Sequence, residues 1–442
     1  MTRRSLFNTL LLCCLLPGLD AAGFGASPPS GAQQAVRSSR SMEQPVFSSA
    51  QTASPSGASP RSQTPFPQLG RELVAIVERD FYDGTRATAW SAANRDYADH
   101  ITDADDFARR TRAVLAQLHA SHTAYYRDNE LPYAGLTSLF EAVVRPAGVW
   151  YDSIGVDLEH RSQGYFLRTV FAGGPADKAG LRRGDLLLSA DNMPFAPIAS
   201  FANRQGQLVT LRVQRRPGAP TLTVTVTPHH VKPREEWLEA QKAGIRIFTL
   251  QNRRIAYMPL FSGAGDEYQQ AAQDAIAGPL RKADALILDF RNGFGGFSPD
   301  FVTLFDANVP VLVMKDRAGK TTLWNRQWRK PLYVLINGGS HSGKEMVAFA
   351  LQRRHLATLV GERTGGAVLG GRPYLLSDGS LMYLAVADCV VDGQRLEGRG
   401  VKPDLEVMDF LPFAQGEDRQ LEAALRLAAS KKGAPPGVGK SR

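Results

Sequence analysis

The sequence predicts a multi-domain α/β protein, mainly because strand and helix patterns alternate between Gly244 and Pro412. Short apolar runs have the length and composition of buried strands, and segments with helical periodicity separate them. Short strands joined by helices favour a mostly parallel sheet with right-handed crossover connections. In chain order, the predicted elements are strand Ile255–Pro259, helix Asp266–Ile276, strand Ala285–Phe290, strand Leu332–Ile336, helix Lys344–Gln352 and strand Ala357–Gly361.

Two further observations place other domains before this region. A β-rich stretch runs from about Val149 to His230, and its short alternating strands, such as Val209–Val213 and Thr221–Val226, are typical of a small β module. Residues 68–148 form a helical N-terminal region in which apolar residues recur at helical spacing. These apolar residues are Leu73, Ile76, Val77, Phe81, Phe107, Val114, Leu115 and Leu118.

The first residues of the chain predict export. Arg3 and Arg4 precede an apolar stretch, Leu6 to Leu16, that is too short to span a bilayer. Small residues around Ala21–Ala26 suit cleavage, so residues 1–25 are interpreted as a signal peptide, with an uncleaved anchor as the alternative. Residues 26–67 are rich in Ser, Pro, Gln, Ala and Gly and predict a disordered linker. The folded part is therefore expected to be periplasmic or secreted.

Composition limits the remaining possibilities. The chain has 442 residues, of which 43% are hydrophobic and 21% charged, enough to bury the cores of about two or three domains. A formal charge of +9 without an aromatic-interleaved basic patch does not predict nucleic-acid binding. Cys13 and Cys14 lie in the predicted signal peptide, so a processed protein keeps Cys389 alone and has no internal disulfide. No later segment is apolar and long enough to cross a membrane, and residues 413–442 predict a helix followed by a basic tail.

The strongest catalytic signal is the turn between strand Leu332–Ile336 and the following helix. The turn reads Asn-Gly-Gly-Ser-His-Ser-Gly-Lys-Glu-Met over 337–346. A small-residue turn from strand into helix exposes a hydroxyl and aims unpaired N–H groups at developing negative charge. Ser342 is a better nucleophile candidate than Ser340, because Gly343 behind it offers an unobstructed amide.

A second turn follows strand Ala285–Phe290 and reads Arg-Asn-Gly-Phe-Gly-Gly over 291–296. Its glycines leave backbone amides open to a ligand. If the two strands are neighbours in a parallel sheet, the amides of Gly295 and Gly343 converge. Together they predict an oxyanion hole.

The two turns together resemble the C-terminal-processing (tail-specific) and tricorn-type serine peptidases, family S41. In that family an Asp-x-Arg-x-Asn-x-Gly-Gly turn gives one oxyanion donor, and a Ser-x-Ser-x-x-Glu turn carries the nucleophile. Ser340, Ser342 and Glu345 fit the second pattern in register, whereas Gly293 stands where the first pattern has asparagine, with Asn292 one place early. The resemblance extends over about 73–410 and implies a ClpP/crotonase-like α/β catalytic core at 231–412.

The β-rich stretch at 149–230 resembles PDZ domains. The resemblance rests on Ser-Ile-Gly-Val-Asp-Leu at 153–158 and on Gly-Pro-Ala-Asp-Lys-Ala-Gly-Leu-Arg-Arg-Gly-Asp at 174–185. A PDZ fold adds an extended chain end to a sheet edge and holds its carboxylate with backbone amides. Ile154, Gly155 and Val156 are the predicted peptide-binding loop. The alternative is an insert that only packs against the catalytic core.

The general base is predicted from a departure from the family pattern. Members of the Ser–Lys branch carry a lysine where this chain has Ala367. Lys344 is a poor substitute, because two residues along a helix from Ser342 it points about 200° around the axis. Serine needs a base, and histidine has a suitable pKa. Tricorn-type members carry a Ser-His pair ahead of the PDZ-like insert, and Ser121-His122 stands in that place. His119 is interpreted as structural and His341 as a turn residue.

The resemblance also implies the residue that orients the base. Glu397, within Leu-Glu-Gly-Arg-Gly-Val-Lys-Pro-Asp at 396–404, matches the glutamate of the tricorn-type Ser-His-Ser-Glu tetrad. The predicted protein is an exported serine peptidase without metal or cofactor. In it Ser342 attacks, His122 takes the proton, and Ser121 with Glu397 orients the base. Its predicted partners are protein or peptide substrates. A non-enzymatic PDZ adaptor and an esterase-like hydrolase remain alternatives.

Overall fold

The computed structural model describes residues 65–145, 147–306, 308–324 and 327–430. The predicted signal peptide, nearly all of the predicted linker and the basic tail after Ser430 lie outside the described residues. Among the described helices, none combines the length and the apolar composition that crossing a bilayer requires.

The α-helices occupy the N-terminal region, the connections of the central sheet and the C-terminus. They are α1 (Phe66–Asp80), α2 (Gly84–Asn94), α3 (Ala104–Ala116), α4 (Leu131–Leu139), α5 (Glu141–Val144), α6 (Pro175–Lys178), α7 (Pro233–Ala243), α8 (Asp266–Ala277), α9 (Gly343–Arg353) and α10 (Arg419–Ala429). Short 3₁₀ helices cover Pro279–Lys282 and Pro299–Leu304.

The strands fall into two larger sheets and several small ones. They are β1 (Ala124–Tyr126), β2 (Tyr151–Ser153), β3 (Val156–Arg161), β4 (Gly164–Val170), β5 (Leu186–Ala190), β6 (Met193–Pro194), β7 (Val209–Gln214), β8 (Leu222–Val226), β9 (His229–Val231), β10 (Arg246–Leu250), β11 (Arg253–Pro259), β12 (Ala285–Asp289), β13 (Leu312–Lys315), β14 (Thr321–Trp324), β15 (Leu332–Ile336), β16 (Thr358–Gly361), β17 (Gly370–Leu375), β18 (Leu381–Ala387), β19 (Val390–Val391), β20 (Gln394–Arg395) and β21 (Leu405–Glu406).

The central sheet has the strand order β10-β11-β12-β15-β16-β21, and it is parallel except for the β10–β11 pair. Every residue of β12 and β15 is buried, because helices cover both faces. Helices α8 and α9 pack on one face, and α10 packs on the other. The α/β class predicted from the sequence is therefore confirmed. Since β12 and β15 are adjacent and parallel, the turns that follow them emerge at the same edge.

The β-rich insert is a second sheet with the order β3-β4-β5-β7-β8, to which β6 adds beside β5. It encloses a small apolar core of its own. A short ribbon between β2 and β9 joins it to the rest of the chain. Phe171 of the insert contacts Phe261 beside the central sheet, with ring centroids 4.9 Å apart. Strand β3 lies at the free edge of the insert sheet.

The N-terminal helices α1–α3 pack together with β17 and β18 around a separate apolar cluster. The expected helical pattern misses β1, which pairs antiparallel with β18. A strand of three residues is too short to show a periodicity, although the pair Tyr125-Tyr126 has the aromatic composition that favours strands. Strand β1 begins two residues after His122. Its pairing therefore fixes where that histidine lies.

Candidate active site

Ser342 lies on a sharp turn between β15 and α9. Its backbone has φ 58° and ψ −126°, a left-handed conformation that is costly for a non-glycine residue. Two hydrogen bonds hold its N–H, one to the carbonyl of Ala367 at 2.8 Å and one to the carboxylate of Glu345 at 3.2 Å. Ser342 is half-buried. Such a strained strand-to-helix elbow presents a serine hydroxyl to a cleft.

Glu345 fastens the elbow to the turn that follows β16. Its buried carboxylate accepts hydrogen bonds from the Thr364 hydroxyl at 2.5 Å and from the Gly366 and Ala367 amides at 2.8 Å each. Burial raises the pKa of Glu345, while these donors lower it. The glutamate therefore holds the Ser342 backbone against the turn that follows β16. The sequence motif indicated Glu345 but not this role.

Ser340 is fully buried and joins the two turns. Its hydroxyl donates to the carbonyl of Phe290 at 2.9 Å and accepts from the Asn337 amide at 3.1 Å. Asn292 and Asn337 form two hydrogen bonds with each other. The backbone N–H of Asn292 donates to Oδ1 of Asn337, and Nδ2 of Asn337 donates to Oδ1 of Asn292. The Ser340 hydroxyl is thus engaged in structure, which leaves Ser342 as the nucleophile candidate.

The glycine turn and the serine elbow approach each other so closely that side chains would not fit. A Cβ on Gly295 would lie 2.6 Å from Cβ of Ser342, and a Cβ on Gly343 would lie 2.4 Å from the Phe297 amide nitrogen. The carbonyl of Gly295 is fixed by the Gly263 amide at 2.9 Å. Within the described residues, the N–H groups of Gly295 and Gly343 have no hydrogen-bond acceptor. Both remain available to an oxyanion.

The departure at Gly293 has a steric explanation. Gly293 has φ 67°, and a Cβ there would lie 2.3 Å from the carbonyl oxygen of Phe261. A side chain at this position would therefore clash with the backbone. Asn292, one place earlier and also at positive φ, makes the contact with Asn337 instead.

Ser121, His122 and Glu397 form a hydrogen-bonded chain. Nδ1 of His122 lies 3.0 Å from the hydroxyl of Ser121, which donates to Glu397 Oε2 at 2.8 Å. The Ser121 amide also donates to Glu397 Oε1 at 2.9 Å, so the glutamate holds both groups of Ser121. The ring of His122 packs against Tyr383, with centroids 5.3 Å apart. This arrangement fixes the imidazole and leaves its Nε2 for another partner.

Burial lowers the pKa of His122 to about 4. The nearby His341 lowers the pKa further, and the charge of Glu397 opposes the shift. The imidazole is therefore neutral at physiological pH, which is the form that accepts a proton. His341, which was interpreted as a turn residue, thus lies close enough to His122 to influence its charge.

One short segment connects the nucleophile side with the histidine side. The carbonyl of Ala367 accepts from the Ser342 amide, and the next amide, that of Val368, donates to Glu397 at 2.8 Å. Ala367 stands where the Ser–Lys branch has its lysine, and here its backbone supports the elbow. Within the described residues, no hydrogen bond joins the Ser342 hydroxyl to His122. Catalytic hydrogen bonds are often long in proteins without substrate.

A buried ion network lies behind the glycine turn, and one of its members, Asp418, was not predicted from the sequence. Arg291 pairs with Asp289 at 2.6 Å and with Asp418, the N-cap of α10, at 2.7 Å. Gln420 and Tyr257 complete the network. Despite burial, the Arg291 charge lowers the pKa of Asp418 to about 2. The C-terminal helix is thereby tied to the start of the glycine turn.

The predicted peptide-binding loop lies at the start of β3. Ile154 and Gly155 are buried and Val156 is half-buried. The Gly155 amide donates to the Ser153 hydroxyl at 2.9 Å. The carbonyls of Ile154 and Gly155 accept from Ala176 and Phe171. One of the amides expected to hold a carboxylate is therefore already engaged within the protein.

This chain is similar to known serine peptidases. Residues 254–407 match the model of peptidase family S41. A putative tricorn protease homolog 2 from Streptomyces coelicolor is 25% identical over 387 residues, which is 81% of this chain and 32% of that protein. A carboxyl-terminal-processing protease from Synechocystis sp. is 24% identical over 374 residues, which is 77% of this chain and 85% of that protein. This chain thus spans about a third of the first relative and most of the second.

The crystal structure of the tricorn protease has the same fold. It superposes with a TM-score of 0.51 at 17% identity and covers 83% of this chain and 36% of that one. The family match includes the glycine turn and the Ser342 elbow, and the two relatives extend the similarity over more than three quarters of the sequence. Residues 254–407 of this chain are therefore similar to peptidase family S41, a family of serine-type peptidases.

Proposed function

We propose that this protein is an exported serine peptidase that hydrolyses peptide bonds with Ser342 as nucleophile and His122 as general base. The observation that carries the proposal is the chain from Glu397 through Ser121 to Nδ1 of His122. It fixes the imidazole in the way that a base histidine requires. The same carboxylate binds the Val368 amide, next to the residue that holds the Ser342 elbow.

The proposed reaction follows the chemistry of acyl transfer. The Ser342 hydroxyl attacks the scissile carbonyl while Nε2 of His122 takes its proton, and the amides of Gly295 and Gly343 bind the oxyanion. The imidazolium then protonates the leaving amine, and an acyl-enzyme forms on Ser342. Water deacylates it with His122 again as base. Ser121 accepts from Nδ1–H and donates to Glu397, whose charge stabilises the imidazolium.

The proposed substrates are proteins or peptides, and the β-rich insert is the proposed recruiting module. A PDZ-like insert would add an extended segment to the edge strand β3. The name of the Synechocystis relative points to cleavage near carboxyl termini, and we extend that substrate class to this chain. Because Gly155 already donates to Ser153, we expect a free carboxylate to contribute only modestly to binding.

The decisive experiment is labelling of the wild-type protein and Ser342→Ala with a fluorophosphonate probe, together with a peptide-hydrolysis assay. Label on Ser342 and loss of hydrolysis by several orders of magnitude in the variant are expected, because nucleophile removal is that costly. Activity of Ser342→Ala within about tenfold of wild type would remove Ser342 from the mechanism.

Other outcomes of the same experiment identify the alternatives. A folded wild-type protein that neither takes the label nor cleaves peptides would be a non-enzymatic adaptor. Labelling with cleavage of esters and not of peptides would indicate an esterase-like hydrolase.

A further inference from the structure

Lys344 is a buried lysine that the proposed mechanism does not use. It lies in the first turn of α9, two residues after Ser342, and its side chain is 0% exposed. Its Nζ donates to the carbonyl oxygen of Asn292, in the glycine turn. Within the described residues, no carboxylate forms an ion pair with it. Burying an ammonium without a paired carboxylate is costly, so the position calls for an explanation.

The contact falls at the start of the glycine turn. Further along the turn, the Phe294 amide donates to the Phe261 carbonyl at 2.8 Å, and Gly263 holds the carbonyl of Gly295. The carbonyl of Asn292 has Lys344 as its partner, and Nζ would lie 3.2 Å from a Cβ on Gly293. The amine therefore lies against the Asn292–Gly293 peptide, at the start of the turn that carries the Gly295 amide.

We propose that Lys344 is a positioning residue for the oxyanion-hole turn, holding the Asn292 carbonyl and placing a positive charge at the start of the turn that carries the Gly295 amide. The assignment rests on the proposed function, because it concerns the same oxyanion. A fixed charge near an oxyanion donor stabilises the transition state more than the bound substrate. It therefore acts on kcat and leaves KM nearly unchanged.

The charged groups around Lys344 come from several elements. Asp289 at the end of β12 and Asp157 on β3 favour the ammonium form, and Arg168 on β4 disfavours it. His341, on the elbow, also lies within its electrostatic reach. Burial is the largest influence and lowers the pKa of Lys344 to about 7. The ammonium therefore loses its proton near neutrality, and the support it gives to the turn weakens above that pH.

The experiment compares Lys344→Met and Lys344→Gln with the wild-type protein in steady-state peptide hydrolysis between pH 4 and 9. Methionine fills the same space without a donor or charge, so we expect kcat to fall about ten- to a hundredfold with KM within about threefold. The wild-type kcat should decline above pH 7, and this decline should be absent in both variants. Glutamine keeps a donor for the Asn292 carbonyl and should recover part of the lost kcat.

Two controls separate this role from a structural one. Lys242→Met changes a half-exposed lysine of α7 and should leave both kcat and the pH profile unchanged. Thermal unfolding of Lys344→Met should show equal or higher stability, because replacing a buried charge with an apolar side chain is often stabilising. Should Lys344→Met fail to fold, Lys344→Gln supplies the kcat and pH test.

The outcomes distinguish this proposal from the proposed function. If wild type cleaves peptides and Ser342→Ala does not, an unchanged kcat in a folded Lys344 variant overturns the positioning role. Retention of the alkaline decline in the variants overturns it as well. If wild type and Ser342→Ala are equally inactive, the proposed peptidase function fails, and this assignment fails with it.

Discussion

The two halves of the candidate site are built in different ways. The nucleophile half consists of two turns that follow the adjacent parallel strands β12 and β15, and each turn is local in sequence. The histidine half combines Ser121 and His122 from the N-terminal region with Glu397, which is 276 residues away from Ser121 in the chain. The first half depends on the central sheet. The second depends on contacts between parts of the chain that are distant in sequence.

This difference has a mechanical consequence. Several independent hydrogen bonds fasten the elbow, including those of Glu345 and Ser340. The imidazole is held by packing against Tyr383 and, through Ser121, by one carboxylate that also binds the amides of Val368 and Leu369. The histidine half is therefore the part whose position depends on contacts outside the central sheet.

The largest effect within this comparison is expected from His122→Ala. Because nucleophile and base act as a unit, the loss of activity should approach that of Ser342→Ala, about four or more orders of magnitude in kcat. Steady-state peptide hydrolysis by both single variants and the double variant measures it. The double variant should be no slower than the slower single one.

A fully active His122→Ala protein would contradict the proposed base. In that case the search would return to a lysine, and Lys344 would be the first to test. Circular dichroism of the variants serves as the control, since the elbow and the sheet do not depend on the imidazole.

A smaller effect is expected from Glu397→Gln. The amide keeps the size of the side chain but loses the charge that stabilises the imidazolium, so kcat should fall about a hundredfold. The structure also predicts the direction in which the acid limb of the pH–rate profile moves. Glu397 raises the pKa of His122, so its neutralisation lowers that pKa, and the acid limb of the rate profile should move below its wild-type position near pH 4.

The matched control is Glu422→Gln on α10, an exposed carboxylate paired with Arg426 and remote from the site. It should leave kcat and the acid limb unchanged. An acid limb that moves to higher pH in Glu397→Gln would contradict the arrangement.

The central sheet could be predicted because its signals are local. Strand Leu332–Ile336 was predicted with the bounds that the structure has, and helix Asp266–Ile276 ends one residue later in the structure. Buried parallel strands are continuous apolar runs, so the composition alone indicates them. The strand Ala124–Tyr126 has no such signal, since it is short and its partner β18 lies far along the chain.

The same limit applies to the site. The glycine turn and the elbow could be proposed from neighbouring residues, whereas Ser121, His122 and Glu397 were assigned through resemblance to a family. The pairing of Arg291 with Asp418 could not be foreseen, because an aspartate before a helix is most simply a cap. Helix geometry disfavours Lys344 as a base candidate, but its contact with Asn292 depends on how closely the two turns pack.

The smallest expected effect concerns the β-rich insert, the region least connected to the chemistry. We expect a peptide ending in a free carboxyl group to bind Ser342→Ala only a few times more tightly than its amidated counterpart. Charge-assisted hydrogen bonds are about twice as strong as neutral ones, but the Gly155 amide already donates to Ser153.

Ser153→Ala would free that amide, so the preference for the carboxylate should increase in the Ser153→Ala, Ser342→Ala double variant. Fluorescence anisotropy with both peptides measures the ratio, and the inactive serine variant prevents cleavage. Equal affinity for both peptides in both proteins would mean that the insert does not recognise chain ends, and that it serves as packing or binds internal segments along β3.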